Sequence, residues 1–544
     1  MRVLASVILI LCVSLTGAHA ASSWRILKDH WSDADEEGFG RFVAAIGASD
    51  CSSSESCLRD PANPYRGSDQ HFLDIDVDCA KWPYLLRAYY AWKNGLPFSY
   101  VDAVSGAGGD LRFTKTANRP VGRHDLVDRG SGIDGPRAIR DVIGTVFSGT
   151  YRTDAAEHRG VLSDFYSPAI QPGSVRPGSI VYDINGHVGI VYKIDADGRL
   201  YYMDAHPDYT ITRSVYGAQF GQSPVRLGGG LKNWRPLKLI GAHRDSEGHL
   251  IGGRMTMAKN EQIPDYSLVQ YLGTEPNPKQ DVKKARYLYD GEEFAFYEYV
   301  RIAMSGGKMN FSPVYELKTT MKTLCNDLND RAQYVDLDIK DGISVKPHPS
   351  RLPDNIYGSD DGEWETYSTP SRDARIKAAF VQFYKDLGEM IELWVHRDGR
   401  IVYDGYDLRK DLRQTYDKQS KACTITYLNS AKRPVPMNFD DMMHRLFAMS
   451  FDPYHCIELR WGASGDERES CPDSKSKRKW YEAEQRLRNQ PDRTYDIQMG
   501  FDLDELNRHA KGSGIDQPPP VDIKSEIDDM PYQVPLEAMR PVGR

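Results

Sequence analysis

Gly186-His187-Val188-Gly189-Ile190-Val191-Tyr192-Lys193-Ile194, then Asp195-Ala196-Asp197-Gly198, then Arg199-Leu200-Tyr201-Tyr202-Met203-Asp204-Ala205-His206 is the stretch that decides the fold. Val188, Ile190 and Tyr192 continue an alternation begun at Ile180 and Tyr182, so Ser179 to Tyr192 reads as β-strand. Asp195 to Gly198 is a turn signal, and Arg199 to Ala205 is the returning strand of a hairpin. Across an even-length turn, positions of opposite parity pair. His187 therefore shares a face with Asp204 and His206. A histidine facing a carboxylate and a second histidine is a candidate general base with two candidates for holding its ring.

A base needs a nucleophile from another element. Asp78 to Asn94 reads as one helix: Leu85, Leu86, Tyr89 and Trp92 recur at helical spacing, and Asn94-Gly95 ends it before Pro97. Cys79 stands at its start with Asp78 as candidate cap, and Pro83 falls where a first turn tolerates it. The unpaired N–H groups and dipole at a helix N-terminus favour the thiolate, the reactive form of cysteine.

The cysteines lead to the same residue. Arg2, the apolar run Val3 to Thr16 and Ala18-His19-Ala20 form an export signal over residues 1–20, so the mature chain begins near Ala21. The run is too short to span a bilayer comfortably, and no later stretch is apolar enough to do so. Of eight cysteines, Cys12 is discarded with the signal, leaving an odd number in an oxidising compartment. Cys51 can bridge locally to Cys57 and Cys456 to Cys471. Cys325 with Cys423 then closes a long loop, and Cys79 is left outside any bridge.

Tyr65-Arg66-Gly67-Ser68, Asp78-Cys79-Ala80, Arg176-Pro177-Gly178-Ser179-Ile180-Val181, Gly186 to Val191 and Gly198 to Ala205 follow one another in an order that resembles the NlpC/P60 superfamily of papain-like cysteine peptidases. The resemblance covers about residues 65–210. It implies an α+β fold with a papain-like core, a helix packed on an antiparallel sheet, and cleavage of amide bonds in peptidoglycan stem peptides. By position it implies Cys79 as nucleophile, His187 as base and Asp204 as orienting residue, with Tyr65 lining the site and His206 as the other candidate orienter. Ala80-Lys81 stands where the family has serine-glycine, and Ser179 where it has the aspartate of the strand-entry turn. The hairpin ending at Asp204 is also similar to that of transglutaminase-like proteins, so acyl transfer to an amine is an alternative outcome. A catalytically vestigial binding or scaffold protein is another.

This chemistry requires no cofactor. A metal site from His187, Asp204 and His206 lacks the i, i+4 helical spacing of zincins, and none is assigned. Asp360, Asp361, Glu363 and Glu365 read as a solvated acidic loop rather than a glycosidase pair. The 544 residues carry a net charge of −8, 40% hydrophobic and 27% charged residues. With no long basic stripe, nucleic acid is not an expected partner. The expected organisation is a polar lead-in with one cysteine pair over 21–63, the hydrolase domain over 64–245, and a linker over 246–282. A mainly helical, disulfide-containing C-terminal domain follows over 283–511, with an unassigned partner, and then a disordered tail over 512–544. Val101 to Asp164 reads as loops and one short helix inserted over the core.

Overall fold

A computed structural model describes residues 22–68, 74–156, 160–354, 364, 367, 369–491 and 499–531. The export signal and Asp360, Asp361, Glu363 and Glu365 lie outside the described residues. The chain is mixed helix and sheet and divides into two compact units. One comprises residues 1–213 and 222–307, the other residues 214–221 and 308–544. No helix among the described residues is long and apolar enough to cross a membrane.

The first unit is built on a six-stranded sheet in the order Phe165–Tyr166, Gly230–Trp234, Ile180–Tyr182, Val188–Ile194, Leu200–Ala205, Ile211–Val215. Val188–Ile194 and Leu200–Ala205 pair antiparallel, with Ile190 opposite Met203 and Val191 opposite Tyr202. The turn between them closes through the Gly198 N–H to the Asp195 carbonyl. The run expected to be a single strand from Ser179 to Tyr192 is itself a hairpin. Ile180–Tyr182 pairs antiparallel with Val188–Ile194, and Asp183 to Gly186 turns between them. Continuous alternation hides such a turn, because both arms carry the same period.

The helix Lys81–Lys93 lays Trp82, Leu85, Leu86 and Tyr89 into one core with Ile180, Tyr182, Val188, Ile190 and Met203 of the sheet. Residues 21–63 are not a polar lead-in but a second wall of this core. The helix Asp33–Ala48 buries Phe39, Phe42, Val43 and Ile46 there, at the i, i+3, i+4, i+7 spacing of an apolar face. Its acidic first turn is capped by a reciprocal Ser32–Asp35 box, which is why its composition reads as polar. Gly47 lets it close on the sheet, since a Cβ there would sit 2.2 Å from the Tyr192 ring. Arg87, buried in the other helix, ties the two together through both Glu36 oxygens at 2.8 and 2.6 Å, with its guanidinium 3.3 Å from the Trp31 ring centroid.

Residues 246–282 are folded too. Leu250 and Met255 pack with Ile26 and Leu239, and the first unit runs on to Gly307. Pro264, Pro276 and Pro278 fall around the short helix Val269–Leu272, between the strands Arg254–Met257 and Tyr287–Tyr289, rather than in a linker. Val101 to Asp164 holds more order than expected: a hairpin of Phe98–Ser105 with Arg119–Leu126, then a helix at Gly135–Thr145.

The second unit packs Leu317, Met321, Leu324 and Leu328 of the helix Pro313–Asp341 with Phe380, Phe383 and Leu387 of the helix Thr369–Val395. The stretch from Gly512 to Pro531 is not a disordered tail, because the helix Ile523–Asp529 and Met530 bury Ile523, Ile527 and Met530 in that core. Three disulfides join Cys51 to Cys57, Cys325 to Cys423 and Cys456 to Cys471. Among the described residues, Cys79 is the cysteine outside a disulfide.

Candidate active site

Asp78 builds the turn that presents Cys79. Its Oδ1 accepts the Ala80 and Lys81 N–H groups at 3.1 Å each, and its carbonyl accepts those of Lys81 and Trp82. Asp78 thus holds the turn before the helix, whose own N-cap is Ala80 and not Asp78. The helix itself begins at Lys81, so Cys79 precedes it by two residues instead of lying in its first turn. The Tyr151 hydroxyl donates to the Ala80 carbonyl at 2.7 Å, and its buried ring stacks on Phe165 at 4.6 Å. Burial, then the negative charges of Cys79 and Asp78, push the Tyr151 phenol well above its ordinary range. It therefore stays a donor and holds the turn in place.

His187 is launched by the tight turn before it. Asp183 Oδ1 accepts the Asn185 N–H at 3.0 Å, the Gly186 N–H reaches the Asp183 carbonyl at 2.8 Å, and the Asp183 N–H reaches the His187 carbonyl at 2.8 Å. Gly186 has φ +94, a conformation that glycine supplies without strain, and a Cβ there would lie 3.1 Å from the Phe113 ring. Arg152, buried, donates Nη1 to the Ile184 carbonyl at 2.7 Å and Nε to the Thr114 carbonyl at 2.8 Å. The 101–164 insertion is thereby fastened to the turn. The Cys79 Sγ lies 3.8 Å from the Gly186 carbonyl, to which its S–H donates. The sulfur therefore touches the peptide that carries His187.

The hairpin brings the other members together. His187 Nε2 lies 2.5 Å from Asp204 Oδ2, with both side chains buried. Thr212 Oγ1 donates to Asp204 Oδ1 at 2.6 Å, and His206 Nε2 lies 2.9 Å from that hydroxyl. The His206 ring also stacks on His187, with centroids 5.5 Å apart. Burial alone would raise the Asp204 carboxyl. The charge of His206, the hydrogen bond and charge of His187 and the Thr212 hydroxyl outweigh it and hold Asp204 well below the usual carboxylate range. An ionised Asp204 only accepts, which fixes the protons. His187 Nε2 and the Thr212 hydroxyl both donate to it, so His206 Nε2 must donate to Thr212. Nδ1 is then the basic nitrogen of His187.

Of the candidate orienters, Asp204 makes the hydrogen bond to His187, and His206 buttresses it through ring and hydroxyl. Tyr65 is not brought to the site. Its hydroxyl pairs with Asn94, the cap at the far end of the helix, and its ring packs among Phe42, Tyr89 and Tyr90. That helix is roughly 20 Å long, so Tyr65 lines the core and not the sulfur. Tyr151, Arg152 and Thr212 were not singled out in the sequence. The strand after His206 could have pointed to Thr212, whereas nothing periodic marks Tyr151-Arg152.

His187, Asp204 and His206 offer ligand atoms within 4.8 Å of one another. Both histidine Nε2 atoms are spent on Asp204 or Thr212, so a metal would have to displace those bonds. Searches of protein-family models, curated proteins and solved structures each return no match to this chain.

Proposed function

We propose that this protein is an exported cysteine hydrolase with a papain-like core of NlpC/P60 type, cleaving amide bonds in peptidoglycan stem peptides. The observation that carries the proposal is one chain of contacts. Cys79, among the described residues the cysteine outside a disulfide, touches the peptide that launches His187, and His187 is held by a buried, ionised Asp204. The amino-terminal signal and three disulfides support passage to an oxidising compartment.

In the proposed reaction His187 Nδ1 takes the thiol proton, and the Cys79 thiolate attacks the substrate carbonyl carbon. The backbone N–H of Cys79, at the helix entrance, is assigned to the oxyanion. As the C–N bond breaks, the imidazolium gives its proton to the leaving amine and a thioester forms on Cys79. Water, deprotonated by the same imidazole, hydrolyses that thioester and regenerates the thiol. Asp204 keeps the Nε2 proton in place and steadies the imidazolium through both steps. Incubation of the mature protein with purified muropeptides, followed by mass spectrometry, should show one amide bond hydrolysed by wild type and none by Cys79→Ala. Intact muropeptides with a thiol that alkylates normally would overturn the substrate, and cleavage by Cys79→Ala would overturn the mechanism.

A further inference from the structure

The second unit holds a cluster of ligand-type side chains that the hydrolytic reading does not use. His348 follows the short helical turn Ile343–Val345. Asp452 and His455 lie in the loop between the helices Phe439–Arg445 and Ile457–Arg460, and Glu484 caps the end of the helix Lys475–Ala483. Their atoms converge on one point. His348 Nε2 is 2.7 Å and His455 Nε2 3.5 Å from Asp452 Oδ2. Glu484 Oε1 is 3.8 Å from His348 Nε2, and its Oε2 is 3.7 Å from His455 Nε2. All four side chains are at most 2% exposed. His455 Nε2 and both Glu484 oxygens nevertheless make no hydrogen bond. Buried polar atoms left so are costly and call for a partner.

The backs of the rings show what kind of partner. His348 Nδ1 pairs with the Pro349 carbonyl at 2.6 Å, and His455 Nδ1 with Asp473 Oδ2 at 3.0 Å. Each Nδ1 thus has a fixed partner and each Nε2 is turned toward the shared centre, where that of His348 donates to Asp452 Oδ2 and a bound metal would take the place of its proton. This is the outer layer that orients metal-binding histidines. Trp480 stacks on His348 at 4.1 Å, and the Cys456–Cys471 disulfide adjoins His455 and Asp473, so the rings are held in place.

We propose that His348, Asp452, His455 and Glu484 form a closed, four-ligand site for a divalent transition-metal ion, with zinc the best match to two imidazoles and two carboxylates. Bonds of about 2.0–2.2 Å at a tetrahedral ion put ligand atoms about 3.4 Å apart. Three of the separations, 3.5–3.8 Å, lie close to that value and the 2.7 Å His348–Asp452 pair has to open; His348, Asp452 and Glu484 already offer ligand atoms within 4.8 Å of one another. Two loops and a helix end are cross-linked by such an ion, which makes the site structural and separate from the chemistry at Cys79.

The test is elemental analysis of the full-length mature protein, loaded with zinc and dialysed, alongside thermal melts with and without a chelator. About one equivalent of zinc should remain in wild type, in Cys79→Ala and in His187→Ala, and be lost in His455→Ala. Chelation should lower the melting temperature and zinc should restore it. Asp473→Asn keeps all four ligands and should weaken zinc 10- to 100-fold in a chelator competition, which serves if His455→Ala fails to fold. No retained metal in wild type would overturn the proposal. So would zinc lost in His187→Ala but kept in His455→Ala, or unchanged affinity in Asp473→Asn.

Discussion

Replacing Asp204 by asparagine removes one charge and almost no volume at a position only 3% exposed. In the wild type this carboxylate accepts from His187 at 2.5 Å and from Thr212 at 2.6 Å. Its largest duty is to the imidazolium that forms when His187 takes the Cys79 proton. A buried hydrogen bond to a charged group is worth about 1.5–3 kcal/mol. Losing that difference between neutral and charged His187 destabilises the thiolate–imidazolium pair by the same amount. The Cys79 ionisation midpoint should therefore rise by about one to two pH units in Asp204→Asn. Turnover should fall at least ten- to hundredfold, more if the amide presents its NH2 and forces the other tautomer. The assay is the rate of Cys79 alkylation by iodoacetamide against pH, with circular dichroism to check the fold. Wild type should react well below about pH 8.5, where an ordinary thiol titrates, and Asp204→Asn should react like His187→Ala. Superimposable profiles for folded wild type and Asp204→Asn would refute the coupling of sulfur, imidazole and carboxylate.

Thr212→Val removes a neutral hydroxyl bond to the same carboxylate, so its effect should be smaller, about 0.5–1.5 kcal/mol; a loss in kcat equal to that of Asp204→Asn would contradict the ranking. Tyr65→Phe should leave activity within about twofold and cost about 1 kcal/mol in denaturant melts, since its hydroxyl serves Asn94; a large loss of activity would return Tyr65 to the site. Lys232 is fully buried, and that burial, with the nearby Arg235, lowers its amine to about 7 from an ordinary 10.5. Between those values the unfolded chain holds a proton the folded one lacks, so stability should climb with pH from about 7 to about 10. Lys232→Met should be more stable than wild type at pH 7 and lose that part of the climb. A pH–stability curve unchanged by the substitution would contradict the assignment.

Local pattern was enough to determine a good deal of this protein. The period of two marks both arms of the hairpin, but beside the turn Ile194 pairs with Leu200, of like parity, and the register shift between Val191 and Lys193 restores the opposite parity that puts His187 with Asp204 and His206. The helix behind Cys79 is legible from its apolar stripe, and the three disulfides from parity and spacing of the cysteines. Residues 21–63 were legible as well, through Phe39, Phe42, Val43 and Ile46, but an acidic first turn outweighed that signal in a reading by composition. Tertiary structure alone decided the rest. Tyr65 precedes Cys79 closely in the chain, yet it packs beside Asn94 at the far end of the helix, and no local signal records that placement. Tyr151 and Arg152 act through carbonyls of Ala80 and Ile184, partners that any residue type offers, so their roles leave no trace in residue identity. His348, Asp452, His455 and Glu484 form no run of helical or strand period, because Asp452 and His455 share one loop while His348 and Glu484 come from another loop and a helix end. Only the packing around Trp480 and the Cys456–Cys471 bridge turns their nitrogens and oxygens toward one point.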